Sequence, residues 1–214
     1  MPSDSFRIYI NITMLIPFIF SITLIINPIS IEQSSEKLNN PEFANTDKLS
    51  AKAEIHVIKD FSAVTQPNTY HYFSLTTGSE VASTEAKSNN WDLAFSGTTI
   101  LTNGGTSGTG QGGALIVEKS FDNITEAPKE GYKTDGGSGN AIASGSGNSW
   151  YKYDMSVHAI LPIVGRTIIV KTAEGKFAKV EFISYYKGAP EEVPTEESKY
   201  YTFRYVLADE NGKF

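Results

Sequence analysis

The chain has 214 residues, a net charge of −6 and no cysteine. The lack of cysteine excludes disulfides, thiolate catalysis, Cys-ligated zinc and iron–sulfur clusters. The acidic balance argues against nucleic-acid binding, which needs clustered Lys and Arg. Aromatic residues and glycine are plentiful and long amphipathic patterns are few, which favours an all-β fold.

Residues 8–31 are dominated by Ile, Leu and Phe, with Arg7 before them and no charge until Glu32. Residues 1–31 therefore fit a secretory signal peptide or a short membrane anchor. Pro17 and Pro28 weaken a long straight helix, so export is the expected outcome. Residues 32–53 are polar and rich in Ser, Asn, Glu and Lys, the composition of a flexible tether. Residues 54–214 are enough for one domain with its own core, expected outside the cytoplasm.

Ile55, Val57 and Ile58 open that domain as a strand, and Asp60 to Asn68 reads as a connection. Tyr70, Tyr72 and Ser74 then alternate with His71, Phe73 and Leu75. Residues 80–90 are polar and suit a loop or a helical turn. Trp91, Leu93 and Phe95 alternate with Asp92 and Ala94, the period of a strand with one buried face. Thr98 to Thr102 is a second β-rich run.

Asn103 to Gly113 is built mainly of Gly, Thr and Ser. Such a loop is costly to order, so its backbone must adopt unusual angles or approach something closely. Gly108, Gly110 and Gly113 match a dinucleotide-binding spacing. That fold needs a helix next, whereas Ala114 to Val117 reads as a strand. Turn formation and close backbone packing are therefore expected of the loop, with direct ligand contact as the alternative.

Ser120 to Ile124 suits a short helix capped by Ser120. Thr134 to Ser149 is Gly/Ser-rich, lacks periodicity and reads as a mobile loop. Trp150 to Tyr153 reads as an aromatic turn. Thr167 to Thr172 and Lys176 to Tyr186 form a hairpin about Ala173-Glu174-Gly175, and Tyr200 to Leu207 is the last strand. The Trp91 and Val180 strands are expected to be central in mostly antiparallel, packed sheets.

No hydrolase motif occurs, and none of the scattered carboxylates is paired as acid and base by the sequence, so no enzyme activity is assigned. The histidines are His56, His71 and His158. His56 suits a surface position. His71, among aromatics, suits a half-buried hydrogen-bonded role or a weaker ligand role. His158 lies near Met155, the one methionine beyond the N-terminal segment. Imidazole nitrogen and thioether sulfur are both axial ligands of haem iron, and neighbouring aromatic and aliphatic side chains suit a flat apolar ligand. Core packing for Met155 and a turn-fixing hydrogen bond for His158 are the plain alternatives.

The run from Trp91 to Ala114 resembles the HmuY family of haem-binding proteins from Bacteroidetes. So do Trp150 to Tyr153 with His158 and Leu161 to Arg166, and Gly175 to Glu181 with Ser184 to Lys187. The blocks fall in the family's order across roughly residues 50–206. The resemblance implies a HmuY-like all-β single domain that binds haem through two axial side chains. The second of these falls where Met155 and His158 stand. The first falls upstream, where Thr125 to Tyr132 holds neither His nor Met. Tyr132 is the weaker oxygen-donor candidate there, and a surface tyrosine is its plain alternative.

Two functions follow. One is non-catalytic capture of haem outside the cell for iron acquisition, with delivery to an outer-membrane receptor. The other is a structural or adhesive surface domain of the same fold that has lost haem binding.

Overall fold

The computed structural model describes residues 53–214. The expected export segment, and the expected tether apart from Ala53, lie outside the described residues. Among the described residues no helix is long and apolar enough to cross a membrane.

Eleven strands follow one another in the described chain. They are β1 (His56–Ser62), β2 (His71–Ser74), β3 (Ser79–Val81), β4 (Leu93–Ser96), β5 (Thr99–Thr102), β6 (Gly113–Val117), β7 (Tyr151–Asp154), β8 (Ala159–Pro162), β9 (Thr167–Lys171), β10 (Phe177–Tyr186) and β11 (Ser198–Leu207). One sheet has the order β1-β11-β10-β9-β6, a second β3-β2-β4-β5, and β7 pairs with β8 alone. Every pairing is antiparallel, as the sequence leads one to expect. The Val180 strand, β10, is the middle of its sheet, and β4, which follows Trp91, is interior in the other.

The two larger sheets meet through an aromatic core. Phe73 of β2 stands edge-on to Phe203 of β11, with ring centroids 5.3 Å apart. Phe95 of β4 meets Phe61 at 5.1 Å and Tyr201 at 5.0 Å. Edge-to-face geometry opposes ring edges to ring faces and adds about 0.5–1.5 kcal/mol per pair beyond area burial. A smaller cluster lies on the other face of the five-stranded sheet, where Ile169 packs with Ile124 and Ala127 and with the half-buried Leu115, Phe177 and Tyr132.

Trp91, Asp92, Leu93, Ala94 and Phe95 are all buried, so this stretch has two buried faces rather than one. The polar segment before it packs against Trp91. Trp91 Nε1 donates to Ala86 O at 3.1 Å. The carboxylate of Asp92 accepts from Leu75 N and Ala173 N, each at 2.8 Å. Burial raises the Asp92 pKa, opposed by those N–H donors.

Asn103 organises the glycine loop. Its Nδ2 donates to Ser88 O at 2.9 Å and Trp91 O at 2.8 Å. Its Oδ1 accepts from Gly110 N at 3.1 Å. A Cβ at Gly110 would lie 2.7 Å from Asn103 O and 2.8 Å from the Ala173 Cα. Glycine is therefore required by close backbone packing, the first of the two readings of this loop. The β9–β10 hairpin turns where expected, with Gly175 at φ +86°.

Several expected boundaries move. The first strand continues through a bulge between Ile58 and Phe61, made possible by Asp60 at φ +54°. Ser79–Val81 is a short edge strand within a polar stretch, completed by pairing with β2. Phe121–Asn123 is a 3-10 turn, but Ser120 does not cap it: its Oγ accepts from the Asn123 side chain instead. The Gly/Ser-rich loop is anchored rather than free. Asp135 is buried and accepts from Thr102 N, Thr102 Oγ1 and Ala141 N, and Ala141 and Ile142 enter the main core. Tyr151–Asp154 is a strand, so the turn lies one step later.

Candidate functional site

The turn joining β7 to β8 is Met155 to His158. Pairing of Asp154 with Ala159 and Tyr153 with Ile160 fixes its register. Asp154 shapes it, since its Oδ1 accepts from Ser156 N at 3.0 Å and Ser156 Oγ at 2.6 Å. The hydroxyl bond, then the backbone N–H, lower the Asp154 pKa. His158 closes the turn at φ +52°, a region that His tolerates better than most residues.

The turn presents apolar surface to solvent. Met155 is 70% exposed, and Val157 and Tyr153 are also exposed. A fully packed methionine is thus not what the fold makes of Met155. Tyr153 Oη lies 3.2 Å from His158 Nδ1. The other ring nitrogen, Nε2, has no hydrogen-bond partner among the described residues. When the Nδ1–H donates to the tyrosine oxygen, Nε2 carries the free lone pair that a metal requires.

Two contacts seat the hairpin. Ser146 Oγ accepts from Tyr153 N at 2.7 Å, and Tyr186 Oη accepts from Ile160 N at 2.9 Å. Arg166 anchors the preceding loop through Gly147 O at 2.9 Å and Ser149 O at 2.6 Å, and pairs with Glu118. Ala143 and Ser144, just ahead of Ser146, wall an open cleft of about 810 Å³ whose other side includes Tyr132 and Thr134.

The other two candidates are placed differently. His71 is engaged at both nitrogens, by Glu80 Oε1 at 2.7 Å and Val64 O at 3.1 Å. It has the half-buried, hydrogen-bonded setting that was its plain alternative. Tyr132 is not a simple surface tyrosine. Its ring packs 5.2 Å from Phe177, and its hydroxyl is buried without a partner. Burial pushes its pKa up to about 12, which opposes the tyrosinate form. Among the described residues no group of three or more His, Asp or Glu side chains converges as a metal site.

The turn offers donors of the kinds that haem iron takes, a thioether and an imidazole. Their spacing limits them. Met155 and His158 sit three residues apart in one tight turn, so this turn would hold such a group by one of the two side chains rather than by both. Sequence reasoning did not find Tyr153, Ser146 or Arg166; the hairpin register, which sets Tyr153 near His158, was the missing signal.

The family model described as HmuY protein matches residues 66–205. The chain belongs to the HmuY family. No curated protein sequence matches it. Among solved structures it is similar to apo PinO from Porphyromonas gingivitis, with TM-score 0.52 at 15% identity over 74% of this chain and 99% of that one. A Bacteroides fragilis NCTC 9343 protein with a provisional lipoprotein designation gives TM-score 0.50 at 19% identity, covering 74% and 93% of the two chains. A Bacteroides vulgatus ATCC 8482 protein, provisionally described as HmuY-like and heme-binding, gives TM-score 0.46 at 16% identity over 71% and 91%. At such identities the likeness is one of fold. Membership of the HmuY family supports a haem-related role.

Proposed function

We propose that this HmuY-family domain captures haem outside the cytoplasm, without catalysis, for iron acquisition by way of an outer-membrane receptor. The observation that carries the reading is the exposed turn with His158 Nε2 free and Nδ1 held by Tyr153. Bound iron protoporphyrin would supply only the metal to be coordinated; the chain supplies the donor and the apolar cover. His158 is the favoured donor, with Met155 the alternative on the same turn. Tyr153 orients the imidazole, and Nε2 is free to coordinate when the Nδ1–H donates to the tyrosine oxygen. Met155 and Val157, exposed on the same turn, would offer apolar cover to the bound group.

The second reading is a structural or adhesive surface domain that has lost haem binding. It rests on the lack of His or Met in residues 125–132 and on the burial of the Tyr132 hydroxyl.

The test is titration of the full chain with haem, oxidised and then reduced, following the Soret band. His158→Gly is the cleaner variant, because glycine accepts the positive φ of this position without strain. Loss of the wild-type band in His158→Gly assigns the imidazole, and loss in Met155→Ala assigns the thioether. A wild-type spectrum in the double variant refutes this turn as the site and leaves His71 and Tyr132 to be tested. No Soret shift in the wild type under either condition favours the structural reading.

A further inference from the structure

A second cavity, of about 560 Å³, lies on the outer face of the five-stranded sheet beneath the segment that follows β6. Its lining includes Lys179, Phe121, Ile124, Val206 and Phe214. Lys179 projects from the middle strand, β10, on the face opposite Val180 and Phe182. A lysine there is unexpected, because the segment above buries it to 7% exposure. Its Nζ donates to Phe121 O at 3.1 Å and Ile124 O at 2.8 Å. The same atom lies 4.6 Å from the Phe121 ring centroid and 5.2 Å from that of Phe214.

No carboxylate pairs with this ammonium among the described residues. Asp122, which lines the cavity and acts on Lys179 at longer range, and Glu181 both pair directly with a different cation. Arg204 Nε donates to Glu181 at 2.6 Å and its Nη2 to Asp122 at 3.2 Å. Asp209, also in the lining, spends Oδ1 on Asn211 N at 2.8 Å and Lys213 N at 2.9 Å. Lys213 adds a second cation to the lining. A buried charge is unfavourable unless it is compensated; burial here pulls the Lys179 pKa down, and the nearby Asp122 charge opposes that only in part. An ammonium carries three N–H donors. Two meet carbonyls; the third has no hydrogen-bond partner among the described residues, and the same Nζ lies over the Phe121 and Phe214 rings.

We infer that this cavity binds a small amphipathic carboxylate, its anionic head on Lys179 and its apolar body against Phe121, Phe214 and Val206. The volume is within the range of small-molecule sites, and a few polar groups in an apolar lining is their usual chemistry. The inference does not rest on the haem reading. The β7–β8 hairpin meets β10 at Tyr186, seven residues from Lys179, a separation of roughly 23 Å at the rise of an extended strand.

The probe is octanoate, added to the full chain and followed by saturation-transfer NMR, with methyl octanoate as the uncharged control. Saturation of the octanoate chain is expected, with at least tenfold weaker binding by the ester and by Lys179→Met. Should Lys179→Met fail to fold, Thr125→Trp provides the second arm. Thr125 is exposed and lines the cavity, so an indole there fills the space while the lysine is retained, and octanoate binding should be lost. No saturation in the wild type, equal binding of the ester, or undiminished binding by Thr125→Trp would each overturn the inference.

Discussion

Asn103 is the side chain on which the glycine loop closes, and its replacement tests that account quantitatively. Asn103→Ala removes three hydrogen bonds, to Ser88 O, Trp91 O and from Gly110 N. Ser88 is only half-buried and can be rehydrated, so little is lost there. Gly110 N is likewise half-buried, whereas Trp91 O remains enclosed and costs about 1–3 kcal/mol when orphaned. At roughly 2–4 °C per kcal/mol for a domain of this size, the melting midpoint should fall by about 2–12 °C. Asn103→Asp sharpens the test. It keeps the acceptor for Gly110 but turns an anionic oxygen toward two carbonyl oxygens, so it should be worse than Ala at neutral pH. That environment raises the folded-state pKa of the new carboxyl above its unfolded value of about 3.9. Stability is then fully present below the unfolded pKa and lost as pH rises through the folded one. Urea unfolding followed by tryptophan fluorescence at pH 5 and pH 7 measures both effects. An Asn103→Ala midpoint equal to wild type, or an Asn103→Asp midpoint that does not improve on acidification, would refute the central role of this side chain.

Trp91 is fully buried, and Trp91→Ala should cost about 3–5 kcal/mol in urea unfolding; an unchanged midpoint would contradict its packing. Tyr153→Phe removes the hydroxyl beside His158 Nδ1 while keeping the exposed ring. Haem affinity should fall by about 10-fold, the scale seen when a ligand's outer partner is removed, with the unfolding midpoint unchanged. If affinity is unaffected in Tyr153→Phe but lost in His158→Gly, the tyrosine does not orient the imidazole.

The elements legible in the sequence are those whose burial is decided by one face. Tyr201, Phe203 and Tyr205 alternate along β11 and all face the core, so period two was enough to place them, although Thr202 and Val206 on the other face are buried as well. Gly175 marked the β9–β10 turn because no other residue takes φ +86° easily. What was missed lies where a second face is covered by a segment with no periodicity of its own. Asp92 looks like the solvent face of a strand until the backbone N–H groups of Leu75 and Ala173 converge on its carboxylate. Asp135 looks like a loop residue until three donors converge on it. The site divides along the same line. Met155 and His158 stood out because an exposed turn leaves donor chemistry visible in composition alone. Lys179 was hidden in a strand whose pattern makes it an outward, solvated residue. Only the crossing of Phe121 to Thr125 over β10 turns that lysine into a buried cation without a carboxylate. A charged residue at an outward strand position is therefore informative only once the segment that crosses it is known.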